Sequence, residues 1–346
     1  MKAVYITEHG GVGALNYGDL PEPGPGPNDV LVRVRACGVN RLDLYTRAGV
    51  RGTRLPLDRP HILGGDAAGD VVEVGSEVTH IKTGDRLVVN PRLTCGQCVP
   101  CIRGEDELCA SPGMLGTTCN GSYAEYVRVP AVNAVPLPDG LSYEAASSMP
   151  TVFLPCWSIL LRKAGLKPWE TALILSASAG VGTAGIQVAK RVVGATVIAT
   201  TSSPEKARKA RELGADEVID YTHEDIAERV KELTDGHGAD VVLDHVGAEF
   251  WPAAIASLAP GGRYGICGVT TGYKAELQMG KMFLKHQTVF GAFMGRKGDL
   301  RQIVDLAGRG VIHGVIHETF ALAEAARAHQ AMEDRGFFGK LVLTVD

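Results

Sequence analysis

Cys95, Cys98, Cys101 and Cys109 form the spacing C-x2-C-x2-C-x7-C in a segment that also holds Gly96 and Gly104. Four soft thiolates can close a tetrahedral shell and leave no position open for substrate, which is the pattern of one structural zinc per chain. A redox dithiol loop or an iron site suits the same four sulfurs. Cys119, Cys156 and Cys267 stand outside any ligand spacing and read as small buried residues.

A second chemical segment is Gly180-Val181-Gly182-Thr183-Ala184-Gly185, which fits G-x-G-x-x-G and follows the apolar run ALILS. Gly180 permits a tight turn, Gly182 lets the backbone approach a pyrophosphate, and Gly185 lets helix and strand pack, with phosphate at the helix N-terminus. An NAD site usually places an acid about 20 residues further on, against the ribose hydroxyls. Here the segment reads Ala199-Thr200-Thr201-Ser202-Ser203, followed by Glu205, Lys206, Arg208 and Lys209. No carboxylate closes the strand to repel a 2′-phosphate, while the hydroxyls of Thr200 and Ser202 and the amine of Lys206 can bind one, so NADPH is expected over NADH. Arg208 and Lys209 read instead as the solvated face of a helix.

Elements must hold these groups in place. At 346 residues and 45% hydrophobic, the chain can build two domains. To about Pro150 it carries short β-branched runs at 30–34, 68–74, 86–89 and 123–129, with no helix-period segment before about Tyr143, as in an all-β barrel-like unit. From Thr171, strands near 172–175, 195–200, 217–219, 240–244, 263–267 and 288–291 alternate with helices, which makes the fold class α/β with a doubly wound parallel sheet. Val181, Ala184, Val188, Ala189 and Val192 give the first helix an apolar face. The second helix ends at Gly214, the third starts after Thr222 as N-cap, and the tail adds a helix over 321–332 and a strand over 340–345.

The 39 acids and 35 Lys and Arg are spread without a basic block, against nucleic-acid or membrane-surface partners. The start MKAVYITEHG lacks a signal-peptide pattern and no apolar run approaches a membrane span, so a cytoplasmic protein is expected.

Together these motifs resemble the medium-chain dehydrogenase/reductase superfamily over the whole chain. The resemblance implies a GroES-like catalytic domain over 1–152 with the zinc lobe at about 92–112, a Rossmann domain over 153–294, and a C-terminal return over 295–346. Gly64-Gly65-Asp66-Ala67-Ala68-Gly69, with Gly75 and Val78, matches the zinc alcohol dehydrogenase signature, but the family's metal-binding His falls on Gly65 and its Glu on Asp66. The other two catalytic-zinc positions fall on Asn40 and near Thr151, neither of them a thiolate.

Gly38-Val39-Asn40, with Asp43, Tyr45, Arg47 and Gly49, is similar to the zinc-independent quinone oxidoreductase and enoyl reductase branch. Ser202 with Lys206, Ile219-Asp220-Tyr221 and Asp244-His245-Val246-Gly247 agree with it. That branch implies that Lys206 and Tyr221 hold the 2′-phosphate end and that Lys340 runs near the cofactor. It commonly lacks the cysteine lobe, and here Pro155-Cys156-Trp157 replaces a Thr-containing stretch near the nicotinamide. The expected activity is NADPH-dependent hydride transfer to the C=C of an enone or enoyl thioester, or to a quinone, without catalytic zinc. Asn40, as an amide donor, and Tyr45, as a phenol able to give a proton, are candidates for the substrate end. His61 and His245 read as structural residues. The rival enzyme is an alcohol dehydrogenase with zinc relocated to Cys37, His61 or Asp66; the rival of another kind is a non-catalytic NADPH-binding protein. The superfamily also implies a homodimer or homotetramer paired through the Rossmann sheet edge.

Overall fold

The computed structural model describes all 346 residues. They form two compact units, one of Met1–Thr151 with Arg296–Asp346 and the other of Val152–Gly295.

The second unit is built on a six-stranded sheet, all parallel. Its strands are Thr171–Ile174, Ala239–Asp244, Leu258–Ile266 and Thr288–Gly291 on one side, and Thr196–Thr201 and Glu217–Asp220 on the other. In chain order the arrangement is 3-2-1-4-5-6, the doubly wound Rossmann order, whose switch point lies at the end of the first strand, where the glycine motif begins. Leu173, Ile198, Val242 and Tyr264 are buried in its core with Trp251 and Val230. The inner strands are largely covered on both faces and so mostly apolar, which is why their runs show little alternation. The motif helix runs over Gly180–Gln187, continues as a π-helical turn over Val188–Val193 and stops at Gly194, whose φ of 86° is left-handed.

The first unit centres on the long strand Asp29–Gly38, which pairs antiparallel with Ala68–Val74, Tyr126–Pro130 and the C-terminal strand Lys340–Thr344. Arg86–Val89 and Ala134–Pro136 extend one side, and Ile316–Ala321 lies parallel to the C-terminal strand. A smaller sheet joins Lys2–Ile6, Asn16–Asp19 and His61–Ile62. No helix is long and apolar enough to cross a membrane.

Four expectations need correction. Helix Arg41–Ala48 interrupts the unit expected to hold no helix before Tyr143; it buries Asp43, Thr46 and Arg47, so its inward face is polar and gives no apolar period. The run at 123–129 enters its strand only at Tyr126. The third Rossmann helix starts after Asp225, whose side chain accepts from Glu228 N, because Thr222 is held in a turn by Asp220. The tail contains helix Lys297–Gly308 and strand Ile316–Ala321 before its helix, which spans Ala325–Asp334.

Candidate functional site

The cysteine quartet is assembled. Its four sulfurs all lie within 4.8 Å of one another, and no other group of three or more potential ligands is so close. Tetrahedral zinc with thiolates at ~2.3 Å puts sulfurs ~3.8 Å apart, and Cys95 and Cys109 stand at 3.6 Å, Cys98 and Cys109 at 4.0 Å. Backbone N–H groups already favour thiolate. Cys95 N lowers the Cys109 thiol, and the backbone around Ala110 and Cys101 lowers that of Cys98. The donor set fits zinc. Lys297 Nζ donates to Thr94 Oγ1 and Arg296 pairs with Glu107, tying the lobe to the start of helix Lys297–Gly308.

The dinucleotide motif is shaped by close backbone approach. A Cβ on Gly182 would stand 2.2 Å from Ser176 O, whereas one on Gly185 would meet the side chains of Ile174 and Leu243 at 3.2 and 3.4 Å. Thr200 Oγ1 accepts from Ser176 N at 2.9 Å, locking the turn to the second strand. The next hydroxyl, Thr201 Oγ1, is buried without a hydrogen-bond partner, an orphaned polar atom at the strand end. Tyr221 N donates to Thr201 O, and the Tyr221 ring packs edge-on against Phe250 at 4.9 Å, so Tyr221 and Ser202 leave adjacent strand ends. Arg208 pairs with Glu212, and Lys209 pairs with Glu205 at 2.8 Å; Lys206 enters neither pair. Turn, hydroxyls and amine fit a dinucleotide. His245 Nε2 bonds Leu175 O and His61 Nε2 bonds Gly116 O, both structural ties.

The first unit gathers a buried polar cluster that sequence reasoning only touched. The pairing of Val342 with Gly38 carries on, antiparallel, to bring Lys340 opposite Asn40. Lys340 Nζ donates to Val39 O at 2.7 Å and Asn40 Oδ1 at 2.5 Å, and stands 3.6 Å from Asp66 Oδ2. Asn40 Nδ2 donates to Asp66 Oδ2 at 2.9 Å and to Gly38 O at 3.2 Å. Thr151 donates to Asp66 Oδ1 from both its N and its Oγ1. Burial raises Asp66 against the pull of Lys340, Asn40 and Thr151, and burial lowers Lys340 against the pull of Asp66 and Asp43.

Two of the expected site residues belong to this cluster. Lys340 turns its ammonium inward, 4% exposed, and two of its three N–H groups are bonded to Val39 O and Asn40 Oδ1. The Asn40 amide spends both its donors inside the cluster, so it is not a free donor to substrate. Tyr45 takes no part in these bonds; it is half-buried on helix Arg41–Ala48, with Arg51 over its ring at 4.6 Å.

Asn40 is also gripped from its backbone. Its N donates to Asp43 Oδ2 at 2.8 Å, and Tyr123 Oη donates to the same oxygen at 3.1 Å. His329 Nε2 lies 3.3 Å from Tyr123 Oη, and Arg47 Nη1 lies 3.2 Å from His329 Nδ1. Arginine only donates, so Nδ1 accepts and the proton sits on Nε2. The string therefore runs one way, from Arg47 through His329 and Tyr123 to Asp43. Arg47 is anchored by half-exposed Glu333 at 2.5 Å. Burial pushes Asp43 up to about 7, and burial beside Arg47 pushes His329 down to about 3.

A catalytic zinc does not fit these residues. Of the three matching positions, Asn40 and Thr151 are closed together by Asp66, and Gly65 brings no ligand. The loss at Gly65 is chemical and not steric, because a Cβ there would meet only ordinary contacts at 3.4 Å or more. Relocation fares no better. Cys37 donates to Ser122 O with its thiol pushed up to about 12 by burial, both Asp66 oxygens are engaged, and His61 bonds a backbone carbonyl.

Comparison with known proteins agrees with this architecture. The zinc-binding dehydrogenase family model matches residues 180–309, and the alcohol dehydrogenase GroES-like domain model matches residues 26–139. A quinone oxidoreductase of Pseudomonas aeruginosa is 36% identical over 99% of both chains. The chain belongs to the medium-chain dehydrogenase/reductase superfamily. An NAD-dependent alcohol dehydrogenase of Sulfurisphaera tokodaii is 33% identical over 99% of both chains. The crystal structure of an NAD-dependent alcohol dehydrogenase is 42% identical, with TM-score 0.96 and full coverage of both chains. A superfamily oxidoreductase is thereby established, and its relatives include both quinone and alcohol chemistries.

Proposed function

We propose that this oxidoreductase is an NADPH-dependent reductase of activated C=C bonds, in enones or enoyl thioesters, or of quinones, working without a catalytic zinc. One observation carries the reading: Asp66 bridges Asn40 and Thr151, closing the place where an alcohol-polarising metal would need ligands. An alcohol or simple carbonyl needs a Lewis acid to hold charge on oxygen. A conjugated acceptor spreads that charge itself, and transfer to it depends mainly on alignment, exclusion of water and a few fixed dipoles.

NADPH supplies the hydride when bound. Gly182 admits its pyrophosphate to the backbone, Thr200 holds the turn, and Ser202, Lys206 and Tyr221 gather at the 2′-phosphate end, with Lys206 left out of the ion pairs that engage Arg208 and Lys209. Tyr45, outside the buried cluster, is the proposed proton source. The cysteine lobe holds one structural zinc. Two or four copies pair through the edge strand Thr288–Gly291, a reading supported by exposed Met279, Phe283 and Leu284 in the helix just before it.

The test is steady-state oxidation of NADPH and NADH across enones, enoyl thioesters, quinones and saturated aldehydes. We expect turnover with the conjugated acceptors and quinones, and a preference for NADPH that Lys206→Ala reduces by ~10-fold or more, the loss of one charge-assisted phosphate contact. Faster turnover of saturated aldehydes overturns the acceptor class. Tight NADPH binding with no consumption by any acceptor would mark a non-catalytic binding protein.

A further inference from the structure

Between Arg92 and Pro112 only Asp106 and Cys109 are buried, while the apolar Val99, Ile102 and Leu108 face solvent. The segment therefore has no hydrophobic core of its own. Its helical pieces, Val99–Ile102 and Asp106–Leu108, fall well short of the ~12 residues at which a helix begins to stand alone in water. Such a segment is held by its metal, and the free energy of zinc binding becomes free energy of local folding. The second piece runs directly into a ligand, because Cys109 N donates to Asp106 O at 3.1 Å. Ordering Cys109 on zinc thus orders Asp106 and Glu107.

Those two acids carry the lobe's outward grip. Asp106 Oδ2 accepts from Lys297 N at 3.1 Å, and Glu107 Oε1 accepts from Arg296 Nε at 2.9 Å. Lys297 is the first residue of helix Lys297–Gly308, whose leading N–H groups find no partner within the helix. Asp299 Oδ2 accepts from Arg296 N, and Asp106, 191 residues back along the chain, accepts from the next N–H. Both carboxylates also suit the positive end of the helix dipole. Arg296 is where the chain re-enters the first unit, and the helix behind it buries Leu300, Ile303, Val304 and Ala307. We infer that zinc in the cysteine lobe fastens the C-terminal return: by ordering Asp106 and Glu107, it caps and anchors the start of helix Lys297–Gly308. The inference rests on the reading of the quartet as a zinc site. Coupling is reciprocal, so the helix start tightens zinc as much as zinc steadies the helix.

Hydrogen exchange read by mass spectrometry on the whole protein, with zinc content measured in parallel, tests it. Stripping zinc with a competing chelator should speed exchange of the amides of residues 297–300 by ~10-fold or more, along with those of the lobe. The Rossmann strand Thr196–Thr201 should be unchanged, and added zinc should restore the protection. Asp106→Ala removes the cap and none of the metal ligands. With zinc still bound, it should speed exchange at residues 297–300 and weaken zinc binding by ~5-fold, the loss of one cap. Arg296→Ala should act in the same direction, whereas Arg301→Ala, on the exposed face of the same helix, should move neither readout. Protection at residues 297–300 that survives the loss of zinc, or a zinc affinity unmoved in both Asp106→Ala and Arg296→Ala, overturns the inference and leaves the zinc site standing. A quartet that takes up no zinc overturns both, and the metal count tells the two failures apart.

Discussion

Gly182→Val is expected to weaken dinucleotide binding by more than ~100-fold, whereas Gly185→Ala should cost ~10-fold or less. The two glycines belong to one motif and meet different neighbours. A Cβ at Gly182 would fall 2.2 Å from Ser176 O and 2.9 Å from Ala177 Cα, both backbone atoms of the turn that receives the pyrophosphate. Backbone cannot rotate aside, so the helix start must withdraw and its N–H groups leave the phosphate. At Gly185 the nearest atoms are methyl groups of Ile174 and Leu243, which can give by a few tenths of an ångström. Fluorescence titration with NADPH checks both, and an unchanged zinc content shows that the cysteine lobe is still folded. If Gly182→Val binds within a few-fold of the parent, the phosphate is not held at this turn.

Asp43→Asn and His329→Gln are expected to tilt the pH dependence of stability in opposite directions. Asp43 titrates at about 7 in the folded chain and near ~4 when unfolded. Between those values the folded state keeps a proton that the unfolded state has lost, so stability falls as pH rises. His329 titrates at about 3 when folded and near ~6.5 when unfolded. There the unfolded state takes up a proton that the folded state refuses, so stability falls as pH falls. From about pH 4 to 6.5 the two windows overlap, one proton each with opposite sign, and cancel.

Removing one partner unmasks the other. Relative to the parent, Asp43→Asn should gain ~1.4 kcal/mol of stability per unit of rising pH across that window, and His329→Gln should lose as much. Glutamine can still accept from Arg47 and donate to Tyr123, and asparagine can still accept from Asn40 N and Tyr123, so the string survives either change. Asp66, Lys340, Tyr123, Cys37 and Arg47 face the pair and are common to all three proteins. Urea unfolding between about pH 4.5 and 6.5 gives the difference curves. Flat curves for both variants would show that neither group is shifted.

The parallel sheet could be read from the sequence because its inner strands are largely buried and mostly apolar, and the cysteine quartet because spacing alone dictates its chemistry. The i,i+4 partners of Arg208 and Lys209 could also be found from spacing. The polar cluster could not. Helix Arg41–Ala48 turns Asp43, Thr46 and Arg47 inward, reversing the usual pattern of apolar inside and polar outside. Lys340 lies 300 residues from Asn40 in the chain, and only the return of the last strand beside Asp29–Gly38 makes them neighbours. A match to a family segment placed Lys340 by a cofactor; strand register placed its ammonium on an amide oxygen. In the sequence Thr151 reads as a missing ligand and not as a donor, since its hydroxyl finds a use only once Asp66 is buried beside it.

The central claim is hydride transfer without a catalytic metal, and it is tested most directly by counting zinc in protein that is turning over. Purified protein with measured NADPH-dependent enone or quinone activity should contain ~1 zinc per chain, held by Cys95, Cys98, Cys101 and Cys109 in a closed shell. A count of ~2 per chain, with activity lost in step with the second ion, would contradict the account.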